Sequence, residues 1–260
     1  MNGQKEESRT VVCGQKEAIF VNINPGMVFV ADMTKFTFYG HASFSIETGG
    51  KTLLFDPFFT GNPLAKDIDT DKIMADYIFI THGHGDHTGD LVALAKKTGA
   101  LCVGAFEVAG WLQKNGVEKV HPLNHGGPVA FDFGKARAVN AIHSSSFGDG
   151  SYAGNPLGYV FTTANGNFYV SGDTALTMDM QLIPLWAAKL DFAVFPIGGN
   201  YTMDPADAIH ASDFVKCNTV VGVHYNTWPI VTIDTEKAKA DFAAAGKKLL
   251  LPGVGKTIEL

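Results

Sequence analysis

The run His82-Gly83-His84-Gly85-Asp86-His87 stands directly behind the apolar stretch ADYIFI, and no other feature restricts the fold of this chain as much. The apolar stretch reads as a strand, so the histidines gather at its end. Two imidazoles two positions apart in an extended segment point the same way, so His82 and His84 can grip one cation. Asp86 and His87 come where the chain must turn into a helix starting near Thr88, which aims them at a second position beside the first. Gly83 and Gly85 permit the tight backbone, having no Cβ to clash.

Three further candidates also come after strand-like runs: His143 after AVNAI, Asp173 after NFYVSG and His224 after TVVGV. Imidazole and carboxylate donors suit zinc first, with manganese or iron as alternatives, and three protein ligands per ion leave a place for water. An open place implies catalysis, because zinc lowers the pKa of its water from ~15.7 to about 7.

The rest of the chain supplies the frame. Residues 1–32, in which GQKE occurs twice, are unlike the remainder and are expected to be an extension dispensable for metal binding; the domain spans 33–260. KFTFYGHASFSIET alternates Phe36, Phe38, Ala42, Phe44 and Ile46 on one face, Gly49-Gly50 turns the chain, and KTLLFDP runs back, a hairpin that delivers His41 and Asp56. Beyond it, strand-like runs from ADYIFI to KKLLLP are interspersed with helical ones. TGDLVALAKKTG stops at Gly99, DPADAIHASDFVK is capped by Asp204 with Pro205 in its first turn, and DTEKAKADFAAAG ends at Gly246. The pattern predicts a layered α/β protein with helices covering sheets.

With these motifs in hand, the chain resembles the metallo-β-lactamase superfamily of metal-dependent hydrolases. HGHGDH, with His143, Asp173 and His224 in order, matches that family's metal-binding motifs from Met33 to the C-terminus. YGHASFSIET, FDPF, HSSS, SGDT, IGGNYTM and HYNTW look most like the branch of small hydrolases related to the ascorbate-phosphate lactonase and the N-acylethanolamine phospholipase D. The resemblance implies a four-layer αββα sandwich with the site at one edge of its two sheets. It also implies that His82, His84 and His143 hold one divalent ion, that Asp86, His87 and His224 hold a second, and that Asp173 bridges them. A carboxylate at the position of His84 would suit the di-iron oxygen reductases, and a cysteine at that of Asp173 the true zinc β-lactamases; neither is present.

The expected activity is cleavage of an ester, lactone, amide or phosphodiester bond in a small molecule by a metal-bridging hydroxide, with Asp86 and His41 as candidate catalytic groups. A non-catalytic metal-binding protein and a di-iron oxidoreductase are the alternatives. His41 is read as a pocket residue that hydrogen-bonds substrate or the groups behind the ligands, against a structural histidine; Asp56 is placed behind a ligand imidazole, and Asn200, Tyr201 and Asn226 are weighed as pocket residues against plain turn chemistry. His121, His125 and His210 are left out.

Composition narrows the partners. A formal charge of -6 argues against nonspecific nucleic-acid or anionic-membrane binding. No apolar run approaches the ~20 residues of a membrane span, so no stable membrane insertion is expected. Cys13, Cys102 and Cys217 are scattered and odd in number, which fits a reducing cytoplasm. A homo-oligomer stays open.

Overall fold

The computed structural model describes residues 33–260; the extension assigned to 1–32 lies outside them. Fourteen strands are present among the described residues: β1 (Lys35–Gly40), β2 (Ser43–Thr48), β3 (Lys51–Phe55), β4 (Tyr77–Phe79), β5 (Leu101–Ala105), β6 (Val120–Leu123), β7 (Val129–Phe131), β8 (Gly134–Asn140), β9 (Leu157–Thr163), β10 (Gly166–Val170), β11 (Phe192–Pro196), β12 (Thr219–Val223), β13 (Lys248–Leu250) and β14 (Thr257–Glu259). They form two seven-stranded sheets, ordered β14-β1-β2-β3-β4-β5-β6 and β13-β12-β11-β10-β9-β8-β7. Each is antiparallel at one end and parallel at the other. The helices are α1 (Gly85–Thr88), α2 (Leu91–Thr98), α3 (Phe106–Lys114), α4 (Ile183–Trp186), α5 (Pro205–Phe214) and α6 (Thr235–Ala244). This is the four-layer αββα sandwich that the motifs imply.

Inward-facing aromatics hold the sheets together. Phe36, Phe44, Phe55 and Phe79 stack rung by rung across β1 to β4, with centroids 4.9, 4.7 and 5.5 Å apart. Phe161, Phe168 and Phe192 do the same across β9 to β11 at 4.6 and 5.0 Å. The ladders meet edge to face where Phe161 contacts Phe55 at 5.7 Å and Phe79 at 5.0 Å. Aromatic pairs in this geometry contribute beyond their buried area.

Local signals are met where chemistry dictates them. Gly99 ends α2 in the left-handed region, φ 67°, and its N–H donates to Ala95 O. Asp204 caps α5 by accepting from Asp207 N at 2.9 Å, with Pro205 in the first turn.

Two readings need correction. KFTFYGHASFSIET is not one strand: Gly40 (φ 105°) and His41 (φ 57°) fold it back, pairing Phe38 with Phe44. A reversal that keeps phenylalanines on one face in both arms leaves the alternation intact. The helix expected near Thr88 is also two pieces, and Asp86 and His87 lie within the single turn α1 rather than before it. Among elements the pattern did not reveal, β6, β7 and β14 are half-exposed sheet edges with weak alternation. No helix of the described residues is long and apolar enough to cross a membrane.

Phe161 is fully buried where both ladders meet. Phe161→Ala is expected to lower stability by about 3–5 kcal/mol, since the transfer loss is joined by a cavity the ladders cannot close. Urea unfolding checks this, and a change below ~1 kcal/mol would show that the ladders are not the principal tie between the sheets.

Candidate metal centre

Every candidate sits where a strand runs out at one edge of the sandwich. His82 and His84 come after β4, Asp86 and His87 are carried by α1, His143 comes after β8, Asp173 after β10 and His224 after β12. Gly83 lies so close to the loop after β8 that a Cβ would stand 2.2 Å from Ala153 Cβ, so only glycine lets His82 and His84 flank that point.

The donor atoms converge into overlapping groups. His82, His84 and His143 form one, His41, Asp86, His87 and His224 a second, and His82, His87 and Asp173 a third; within each, all donors lie within 4.8 Å of one another. Asp173 Oδ2 is the common point, 3.0 Å from His224 Nε2, 3.3 Å from His87 Nε2 and 3.7 Å from His143 Nε2.

Whether such a set suits a cation depends on which nitrogens carry lone pairs, and the hydrogen bonds decide this. Thr81 Oγ1 donates to Asp56 Oδ2 at 2.6 Å, so it must accept from His82 Nδ1, 3.0 Å away. That leaves the His82 Nε2 lone pair facing His84 Nδ1 at 2.9 Å, where it accepts from the Nδ1–H tautomer of His84 or, with that proton moved to Nε2, joins His84 in facing a cation. His87 Nδ1 donates to Asp56 Oδ2 at 2.9 Å, and its Nε2 points inward, buried and without a hydrogen-bond partner among the described residues. The inward-facing Nε2 atoms of His82 and His87, with the donors of His84, His143 and His224 converging beside them, make a cation site. The residues fit divalent ions.

Electrostatics agree. Desolvation pushes His82 well below the ordinary histidine value and lowers His84 and His143, which keeps that group neutral and ready to ligate. Burial also opposes charge on His87, yet the carboxylates of Asp173 and Asp56 on either side raise it well above its usual value. Burial would raise Asp173, but the imidazoles of His224 and His87 hold it well below the carboxylate range. A proton on His87 stands where positive charge is wanted.

His41 stands beside the donors, bonded to Asp86. Its side chain is completely buried, with Nδ1 2.7 Å from Thr227 Oγ1 and Nε2 3.0 Å from Asp86 Oδ2. It is not among the residues that wall the cleft and stands behind Asp86. Asn226 accepts from Ile233 N at 2.9 Å and is a turn residue, φ 57°, as is Asn200, φ 57°. Neither lines the cleft of about 310 Å³ walled by His84, Asp86, His143, Ser144, Asp173, Tyr201 and His224. Sequence reading assigns no role to Thr81, Ser144 or Thr227. A hydroxyl residue next to each ligand histidine or its motif is the signal that points to them.

A beta-lactamase superfamily domain matches residues 51–225. A UPF0173 metal-dependent hydrolase from Flavobacterium johnsoniae is 52% identical over 226 residues, 87% of this chain and all of that protein. The chain belongs to this family of metal-dependent hydrolases. A second UPF0173 relative, from Christiangramia forsetii, is 52% identical over 227 residues, again 87% of this chain and all of the relative. Among solved structures, Igni18, a metallo hydrolase from Ignicoccus hospitalis, is similar at a TM-score of 0.79 with 32% identity, over 88% of this chain and 98% of that one.

For this family member, Asp56→Asn tests whether the buried carboxylate sets the tautomers of the ligand histidines. The amide keeps the shape but offers one acceptor oxygen in place of two. Metal affinity is expected to fall about 10–100-fold, the usual effect of losing a carboxylate behind a ligand histidine, with the far-ultraviolet circular dichroism unchanged. Chelator competition measures it; unaltered affinity would show that Asp56 does not orient the ligands.

Proposed function

We propose that this metal-dependent hydrolase is dinuclear and cleaves an ester, lactone, amide or phosphodiester bond of a small molecule. The observation that carries the reading is Asp173 Oδ2, which lies within 3.0 to 3.7 Å of imidazoles from two donor groups. A carboxylate so placed can bridge. His82, His84 and His143 would hold one ion, and Asp86, His87 and His224 the other, with zinc the ion this donor set suits first and manganese or iron the alternatives. When bound, the ions supply Lewis acidity and a water acidic enough to attack at neutral pH.

The chain's own groups position the reactants. The Asp86 side chain is 27% exposed. Burial would raise its pKa, but the hydrogen bond from His41 and the nearby His87 hold it below the ordinary carboxylate range. It therefore orients the attacking water as an acceptor and is a poor store for its proton. His41, between Thr227 and Asp86, is a positioning residue that never meets substrate. Tyr201, 56% exposed beside the cleft, offers its hydroxyl to substrate or leaving group, and Ser144 Oγ, 3.3 Å from His84 Nε2, steadies that imidazole. The buried free thiols of Cys102 and Cys217 support a reducing, cytoplasmic setting.

Asp173→Asn is the decisive substitution. It keeps the shape but removes the charge and one good ligand oxygen. The variant is expected to fold, to bind the ion at Asp86, His87 and His224 more weakly than the one held by three histidines, and to lose orders of magnitude in turnover on a panel of ester, lactone, amide and phosphodiester substrates. Metal content and activity are measured on one preparation. Two tightly bound ions with near-normal turnover would sink the dinuclear reading.

A further inference from the structure

The strand ends that gather the metal donors also share a composition. β4 and β5 run parallel, as do β10, β11 and β12, and β8 and β10 both pair antiparallel with β9, so all six run out at the donor-bearing edge. The segments that follow them, residues 80–90, 105–107, 141–156, 171–182, 197–204 and 224–234, contain no lysine and no arginine. Large apolar or aromatic side chains stand exposed in them instead: Phe106, Ile142, Met178, Tyr201 and Ile230. The segment from β3 to β4 does carry Lys66 and Lys72, and that after β13 carries Lys256, but none of these walls the metal cleft.

Two of these side chains are fastened at the cleft itself. Ile142, 49% exposed, precedes the candidate ligand His143; its N–H donates to Thr174 Oγ1 at 3.0 Å and its carbonyl accepts from Ala175 N at 3.0 Å, which holds it beside Asp173. Met203 N donates to Thr174 O at 2.9 Å, so the turn that carries Tyr201 is tied to the same point, and Tyr201 walls the cleft. With His84, Asp86, His143, Asp173 and His224 taken as ligands, Ser144 and Tyr201 are the wall residues left for a substrate to meet beyond the ions. No ammonium or guanidinium stands in that wall to receive an anion, and Glu107 and Asp149 add negative charge to the same segments.

We propose, resting on the hydrolytic reading above, that the substrate carries an uncharged alkyl or aryl body beside the bond that is cleaved, that Ile142 and Tyr201 receive this body, and that sugar phosphates, nucleotides and other compounds with an anionic body are poor substrates. An anion that leaves water needs a charged or polar partner, and the ions supply one only at the reacting oxygen. An apolar body gains by covering side chains that otherwise meet water. The cleft of about 310 Å³ lies at the small end of ligand pockets, room for the scissile group with a short chain or one ring against the rim.

The test gives the metal-loaded full chain the 4-nitrophenyl esters of acetic, hexanoic and adipic acid, the last matching hexanoate in length with a carboxylate at its far end. Methyl and hexyl 4-nitrophenyl phosphate repeat the length comparison on a phosphodiester. For whichever bond is cleaved, kcat/KM is expected to rise about tenfold or more from the short to the long chain, ~1.4 kcal/mol, and the adipate half-ester to fall behind the hexanoate by a similar factor. Ile142→Ser is expected to flatten the dependence on length, and Ile142→Lys to raise the half-ester relative to the hexanoate. Leu185→Ser, at an exposed residue of a separate groove beside Lys135 and Arg137, is expected to change neither ratio. Binding is read without turnover through the neutral fluorophore N-phenyl-1-naphthylamine, with saturable affinity weakened about tenfold in Ile142→Ser and kept in Leu185→Ser. Equal kcat/KM at both lengths, a half-ester cleaved as well as the hexanoate, or a fluorophore affinity unmoved by Ile142→Ser overturns the proposal and leaves the hydrolytic reading standing. Turnover of none of the compounds, with the fluorophore bound as expected, counts against the hydrolytic reading and supports the apolar rim.

Discussion

Asp56 accepts three hydrogen bonds, and each fixes a different part of the molecule. Thr81 N at 2.8 Å locks the end of β4 to the end of β3, Thr81 Oγ1 at 2.6 Å sets the tautomer of His82, and His87 Nδ1 at 2.9 Å sets that of His87. One buried carboxylate therefore governs an imidazole in each donor group. Hydrogen bonds to a charged group are worth roughly 1.5–3 kcal/mol net, and three of them are what make a 2% exposed carboxylate tolerable. The sheet edge and the metal chemistry share this residue.

Around it the backbone departs from ordinary conformations. His41, Asp56 and His224 have φ of 57, 42 and 56°, a region that disfavours side chains by about 1–3 kcal/mol per residue. His224 N donates to His41 O at 2.7 Å, so two of these residues fasten the end of β12 to the β1–β2 turn and bring their rings within 4.0 Å. The aromatic ladders supply the stability that offsets this. Strain sits where donors must be aimed, and regular packing sits where nothing else is asked of the chain.

That division explains what was legible in the sequence. Strand runs such as LGYVFTT and DFAVFPI, and helix signals such as Asp204-Pro205 and Gly99, are local, and the structure places elements there. The candidates His82, His84, Asp86, His87, His143, Asp173 and His224 were visible because a strand end with His or Asp behind it recurs. The burial of His41 was not visible: it depends on Thr227, far along the chain, and on a left-handed turn that alternation cannot register. Nor could composition reveal that Asp56 serves His82 through Thr81 as well as His87 directly, since that relay exists only once β3 and β4 lie side by side.

The same geometry couples metal binding to the integrity of this edge. His87 Nε2 faces the donor groups, buried and without a hydrogen-bond partner among the described residues. A polar atom left in this way opposes folding by roughly 1–3 kcal/mol, so an edge without a cation is pushed to open or to take up a proton. An ion that binds only the folded arrangement reverses the balance, adding about 4 kcal/mol when free metal is a thousand times its dissociation constant. The core does not share this dependence, because the ladders of Phe36, Phe44, Phe55 and Phe79 and of Phe161, Phe168 and Phe192 contain no ligand. Loss of metal should therefore loosen the strand ends that carry the donors while the sandwich behind them stays packed, which is the behaviour expected of a site grafted onto a scaffold that folds for other reasons.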